Sequence, residues 1–130
     1  MDLKLGKIAQ IAHSVSDVDA AEAFYEQKLG LKNLYRPSPD MVFFDLGGVR
    51  LYLNKAHAEF TPEKASILYL LCEDIAVAVA ELKARGVVFE DEPHRIAEMP
   101  AHDLWMAFFK DPDGHLLGLE MQAPKGWAPA

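Results

Sequence analysis

Two side chains that can bind a metal or transfer a proton lie in largely apolar stretches of this sequence. His13 lies in KIAQIAHSV, and Glu120 lies in HLLGLEMQ. A carboxylate in an apolar run is seldom buried without a partner or a role. Imidazole and carboxylate groups are ligands for Zn²⁺, Mn²⁺, Ni²⁺ and Fe²⁺, and both also act as general acids or bases. The two residues are therefore candidates for one functional site.

Glu120 closes a hairpin pattern that occurs twice. The stretch 106–120, MAFFKDPDGHLLGLE, is typical of a strand, a tight turn and a second strand, since its DPDG segment combines a φ-fixing Pro with a permissive Gly. The earlier stretch 41–54, MVFFDLGGVRLYLN, has nearly the same shape and closes on Asn54. The two copies differ in the polar residue that ends the last strand, which is a carboxylate in one and an amide in the other.

The hairpins belong to a longer internal repeat. A strand rich in Ile and Val (7–15) precedes a helix pattern over about 16–29, which begins with Ser-Asp and stops at Gly30. Three short strands follow. The same order begins again with the strand ASILYLL and a helix over about 74–85, and three more strands complete it. Each half is therefore predicted to be βαβββ.

This repeat predicts one α+β domain over residues 1–130, built from two tandem βαβββ modules. Module one is expected at about 7–54 and module two at about 66–122, with a polar linker containing Pro at about 55–65. Each helix covers one face of its sheet and leaves the other face to a sister module or a second chain. We expect a curved eight-stranded sheet around a cleft, and a homodimer that covers the remaining sheet edges.

Composition limits the classes of partner. The chain has 13 basic and 20 acidic residues and a formal charge of −7, which is unsuited to neutralising a phosphate backbone. No apolar run approaches the roughly 20 residues that cross a bilayer, and the N-terminus lacks the apolar region of a signal peptide. We expect a soluble cytoplasmic protein whose partner is a small molecule, with no nucleic acid and no membrane.

The motifs in this order resemble the vicinal oxygen chelate superfamily of glyoxalases, bleomycin-resistance proteins and extradiol dioxygenases. The resemblance rests on the duplication, on IAHSVSDVDAAEAFYEQKLGL with its strand His, and on FFKDPDGHLLGLE ending in Glu. It covers about residues 7–122 and implies a glyoxalase-like fold. In that family a divalent metal (here Zn, Ni, Mn or Fe) sits between the sheets, held by up to four side chains, one from the first and one from the last strand of each half.

The resemblance implies that two of these four ligand positions are filled. His13 and Glu120 occupy one position in each half, whereas Leu70 and Asn54 occupy the counterparts. Leu offers no ligand atom and Asn only a weak carbonyl oxygen, so water, substrate or other side chains would complete the shell, or no metal binds. Glu120 is also the candidate catalytic base, a role that requires burial to raise its pKa.

A third metal ligand could come from His102, just ahead of the strand that pairs with the Glu120 strand. With the turn at 111–114, residues 102–105 are expected opposite Glu120. A one-residue shift in register would put Asp103 or Trp105 in the cleft instead.

Other side chains are predicted to line the cleft and bind substrate. Arg50 and Tyr52 share a strand face with Asn54 by two-residue alternation, although an exposed face of an edge strand is an equally good interpretation. Trp105 is the fourth predicted substrate-binding residue. The remaining histidines are expected to be exposed: His57, His94 and His115.

Two functions stay open. The first is an enzyme whose metal polarises two adjacent oxygens of a small substrate, with the lyase, isomerase, thiol transferase or dioxygenase chemistry of the family. The second is a metal-free, bleomycin-resistance-type protein that sequesters a cationic or aromatic ligand, which the acidic charge and the aromatic residues favour. A buried Glu facing a His favours the enzyme, whereas the two missing ligands favour the binding protein.

Overall fold

The computed structural model describes residues 2–57 and 60–130. Positions 58 and 59 of the predicted linker lie outside the described residues. The chain divides into two compact units, Met1–Phe60 and Thr61–Ala130, which we call module one and module two. No helix among the described residues is long and apolar enough to cross a membrane.

Module one has the predicted βαβββ order. Its elements are β1 (Gln10–Val15), α1 (Val18–Ala23) with a π-helical continuation (Phe24–Lys28), β2 (Lys32–Ser38), β3 (Met41–Asp45) and β4 (Arg50–Lys55). The sheet order is β1-β4-β3-β2, with β1 parallel to β4 and the other pairs antiparallel. The Asp17 side chain accepts a hydrogen bond from the Ala20 N–H (3.1 Å) and so caps α1. Gly30, at a φ of 72°, ends the helical segment.

Module two repeats this order. Its elements are a 3₁₀ turn (Pro62–Lys64), β5 (Leu68–Leu71), α2 (Ile75–Ala84), β6 (His94–Glu98), β7 (Asp103–Lys110) and β8 (Leu116–Ala123). The sheet order is β5-β8-β7-β6, again with the first pair parallel. Asp74 caps α2 as Asp17 caps α1, and Gly86 takes a φ of 89° beyond its end. The predicted α+β fold of two tandem βαβββ modules is confirmed.

Strand alternation separates two faces in each sheet. In module one the face under α1 is fully buried at Val42, Phe44, Leu51 and Leu53, and the Phe44 ring lies 6.0 Å from that of Tyr25. In module two the corresponding face is identified by Met121, whose sulfur accepts a hydrogen bond from the Ile75 N–H at the start of α2. We call these the helix-facing sides, and the opposite sides the helix-distal faces.

Candidate functional site

The helix-distal face of module one carries three stacked aromatic rings. Tyr35, Phe43 and Tyr52 are cross-strand partners on β2, β3 and β4. The ring centroids are 4.8 Å apart in both pairs, with interplanar angles of 12° and 10°. We call these three residues the aromatic ladder. Because neighbouring strands lie about 4.8 Å apart, each strand supplies one ring.

Three of the predicted substrate-binding residues lie on this face. Arg50, Tyr52 and Asn54 alternate along β4, and the Arg50 guanidinium carbon is 5.9 Å from the Phe43 ring centroid. The alternation thus holds as the sequence indicates, while their binding of a substrate stays a prediction. The sequence favoured an aromatic ligand through Tyr35 and the Phe pairs, which include Phe43, but did not place Phe43 among the substrate-binding residues, although its alternation with Val42 and Phe44 puts it on this face.

His13 lies on the opposite, helix-facing side of the same sheet. Its partner on β4 is Leu53, whereas the partner of Asn54 is Ser14, and His13 is only 5% exposed. Because side chains alternate with a period of two, a difference of one position reverses the face. The buried Val15, in phase with His13, was the sequence signal for this orientation. His13 thus has the placement of a core residue, and its role as a metal ligand stays a prediction.

Glu120 lies on the helix-distal face of module two. Its cross-strand neighbours are Leu71 on β5 and Met106 on β7, so the half-buried carboxylate stands among apolar side chains. Two residues earlier on β8, Gly118 lies beneath Tyr69 and Phe108: a Cβ at this position would be 2.9 Å from Tyr69 Cδ1 and 3.1 Å from Phe108 Cε1. This surface is therefore apolar and aromatic with one acidic group.

The structure does not pair His102 or Trp105 with Glu120. The expectation that residues 102–105 lie opposite Glu120 is wrong, because β7 and β8 leave the turn at Lys110 and Leu116 and this register brings Met106 to Glu120. Trp105 pairs instead with Met121, on the helix-facing side. His102 precedes β7, and its carbonyl oxygen accepts a hydrogen bond from the Met99 N–H (2.8 Å).

Asp103, the alternative to His102, ties down the C-terminal segment. It is 2% exposed, and its Oδ2 accepts a hydrogen bond from the Gly126 N–H (3.0 Å) while Lys125 Nζ lies 3.0 Å from Oδ1. The hydrogen bond from Gly126, and then the one from Lys125, hold the pKa of Asp103 below its ordinary value. The Trp127 ring packs edge-to-face on Trp105, with centroids 5.1 Å apart. These residues therefore join the tail to the sheet.

The remaining histidines are exposed with one exception. His57 and His94 are exposed as predicted, but the prediction for His115 is wrong, since it is 2% exposed. His115 precedes β8 in phase with the helix-facing Leu117. Its backbone N–H also donates a hydrogen bond to Asp111 Oδ1 (2.8 Å), which closes the turn at 111–114.

The residues needed for a metal centre are not grouped within either module. Over residues 2–57 and 60–130, no three His, Cys, Asp or Glu side chains cluster as metal ligands would. Within their own sheets, moreover, His13 is on the helix-facing side and Glu120 on the helix-distal face. The predicted pair therefore does not occupy equivalent faces of the repeat.

The fold and the order of the motifs define the class of protein. A family model described as the Glyoxalase/Bleomycin resistance protein/Dioxygenase superfamily matches residues 7–119, and the chain belongs to this family.

Solved structures share this fold at low sequence identity. A glyoxalase/bleomycin resistance protein/dioxygenase from Nocardioides is 23% identical, with a TM-score of 0.75 over 99% of this chain and 91% of the other. Lactoylglutathione lyase from Agrobacterium tumefaciens is 21% identical, with a TM-score of 0.71 over 95% and 99%. TnmS3, an antibiotic-binding protein from Streptomyces sp. CB03234, is 24% identical, with a TM-score of 0.70 over 94% and 100%.

Proposed function

We propose that this protein binds a small planar aromatic molecule on the helix-distal face of module one. The observation that carries the proposal is the aromatic ladder of Tyr35, Phe43 and Tyr52, whose rings stand nearly parallel across three strands. Such a face offers a further flat ring the same contact, worth about 0.5 to 1.5 kcal/mol beyond the apolar area that it buries. The ladder therefore favours flat ligands over puckered ones.

Polar groups at the ladder would orient the ligand. Arg50 and Asn54 flank Tyr52 along β4, and a guanidinium and an amide can both hydrogen-bond to substituents at a ring edge. Ligand sites typically combine a mostly apolar lining with a few such groups. The fold shared with an antibiotic-binding protein is consistent with this function.

A metal-dependent lyase, isomerase, thiol transferase or dioxygenase is the second candidate. The observation that favours it is the half-buried carboxylate of Glu120 in an apolar surface of module two, since such a group commonly has a role. Glu120 and His102 stay candidate ligands for Zn, Ni, Mn or Fe. His13 is buried on the helix-facing side of its own sheet, so we derive no catalytic step from it, and its predicted role as a ligand is left to the metal analysis.

A matched pair of probes tests the binding function. We expect 2-naphthol to bind in isothermal titration calorimetry and decahydro-2-naphthol, which has the same skeleton and hydroxyl group but is puckered, to bind at least about tenfold more weakly. Tyr52→Leu should weaken 2-naphthol binding, whereas the same change at Tyr69 in module two should not. Equal binding of the two probes, or no binding of either, would refute the proposal.

Metal analysis separates the second candidate from the first. The protein is purified without added metal salts and its metal content is measured by inductively coupled plasma mass spectrometry. A stoichiometric metal that is lost in Glu120→Gln, with an unchanged thermal unfolding midpoint, would support the enzyme. Retention of the metal in that variant would exclude Glu120 as a ligand.

A further inference from the structure

The aromatic ladder stops one strand short of the edge of its sheet. Its rings lie on β2, β3 and β4, and the sheet continues to β1, where the partner of Tyr52 is Ala12. Ala12 is exposed and carries only a methyl group on this face. Among the described residues, the one aromatic partner of Tyr52 is Phe43, so within module one no ring stacks on the Tyr52 face toward β1.

We infer that the bound ligand supplies the missing fourth ring, lying above Ala12 and stacked on Tyr52. This inference rests on the proposed function and specifies where the ligand lies. The ladder repeats at 4.8 Å, which is the strand spacing, so the next position in the series falls over β1. A methyl group there leaves room for a flat ring at the same spacing, whereas a larger side chain would occupy it.

The two ends of the proposed ring site above Ala12, taken along the strands, differ in charge. Gln10 and Arg50 are partners at one end, and Ser14 and Asn54 are partners at the other. The end with Arg50 is basic, and it lies near Lys7, whose Nζ donates to the Gly48 carbonyl oxygen (3.2 Å).

Arg50 remains able to bind an anion. Its cross-strand partner on β3 is Asp45, whose Oδ1 accepts a hydrogen bond from the Gly48 N–H (2.9 Å). Arg50 itself lies over the Phe43 ring of β3, 5.9 Å from its centroid, so its exposed side chain has to turn toward β1 to reach a ligand above Ala12. Guanidinium groups bind carboxylates in a planar, bidentate manner. The ligand class is therefore a flat aromatic carboxylate, with its ring over Ala12 and its carboxylate at Arg50.

Variants of Ala12 test the position of the ring. The probe is 2-naphthoate, measured by isothermal titration calorimetry. Ala12→Phe places a ring of the protein in the fourth position, so we expect its affinity for 2-naphthoate to fall about tenfold or more, with no fall in the thermal unfolding midpoint. Ala12→Val partly fills the same space and should weaken binding less, and Ala12→Ser serves as the control of nearly unchanged size.

Arg50→Gln tests the charge preference. We expect this variant to lose at least about tenfold more affinity for 2-naphthoate than for the neutral 2-naphthol, because a charge-assisted, bidentate contact is lost with the first probe and at most one neutral hydrogen bond with the second. An equal loss for both probes, or none for either, would overturn the assignment of a carboxylate to Arg50.

The outcomes distinguish this inference from the proposed function. If the wild type binds 2-naphthol and Tyr52→Leu weakens it, but the folded Ala12→Phe and Ala12→Val bind both probes like the wild type, the fourth-ring position is refuted and the binding function stands. If the wild type binds neither probe, the binding function itself fails.

Discussion

We predict that the loss of unfolding free energy on removing a ring of the aromatic ladder depends on how many other rings it stacks on. Phe43 stacks on two rings, whereas Tyr35 stacks on one. Replacing either residue with Leu keeps much of the apolar side-chain volume but removes the stacking. Each aromatic pair contributes about 0.5 to 1.5 kcal/mol, so Phe43→Leu should lower the free energy of unfolding by about 1 to 3 kcal/mol and Tyr35→Leu by about half of that. Loss of the contact between Arg50 and the Phe43 ring adds about 0.5 to 1 kcal/mol for Phe43→Leu.

Urea unfolding of the two single variants and the double variant measures these terms. The double variant loses the shared pair only once, so its cost should be smaller than the sum of the single costs by about 0.5 to 1.5 kcal/mol. Leu34→Ala, at the irregular pairing between Asn33 and Tyr35, changes a residue outside the aromatic ladder and serves as the control. A Phe43→Leu cost no larger than that of Tyr35→Leu, or strictly additive costs, would show that the rings do not stabilise one another and would refute the reasoning.

Three other predictions concern the core, the C-terminal segment and the assembly. His13→Ala should lower the free energy of unfolding in urea by about 2 to 4 kcal/mol, because it opens a cavity on the buried, helix-facing side of the sheet; loss of a bound metal without loss of stability would contradict the core placement. Because the folded pKa of Asp103 lies below its ordinary value of 3.8, its contribution to stability is complete above that value and is lost as the pH falls through the folded pKa. Wild type and Asp103→Asn should therefore converge in stability on acidification, and parallel pH profiles in urea unfolding would contradict this. Finally, we expect a homodimer in sedimentation velocity at micromolar concentration, and a monomer would exclude it.

Much of the fold follows from signals within a few residues of one another. Asp17 and Asp74 cap the two helices through backbone N–H groups two or three residues ahead, and Gly30 and Gly86 end them. The turn at 111–114 forms where Pro and Gly predict it, with the Gly114 N–H bonded to the Asp111 carbonyl oxygen (3.0 Å). Such local interactions depend little on the rest of the chain, and the repeat made each of them recognisable twice.

The candidate site was predictable only in part, because the face of the sheet on which a strand residue lies depends on pairing with a strand that is distant in sequence. Arg50, Tyr52 and Asn54 share a face by alternation alone. Which way that face points, and that His13 lies on the other side, depends on the pairing of β1 with β4 across some 40 residues of sequence (Gln10 with Arg50).

The sequence by itself determined the duplicated βαβββ order, the ends of the helices and the turns, since these arise from local hydrogen bonds and backbone preferences. Only the tertiary structure decided which polar residues share a face, where Trp105 and Asp103 meet the C-terminal segment, and that three rings from three strands stack while the fourth strand offers Ala12. The physical reason is that strand register is set by contacts between distant segments, and a shift of one residue exchanges the two faces of a sheet.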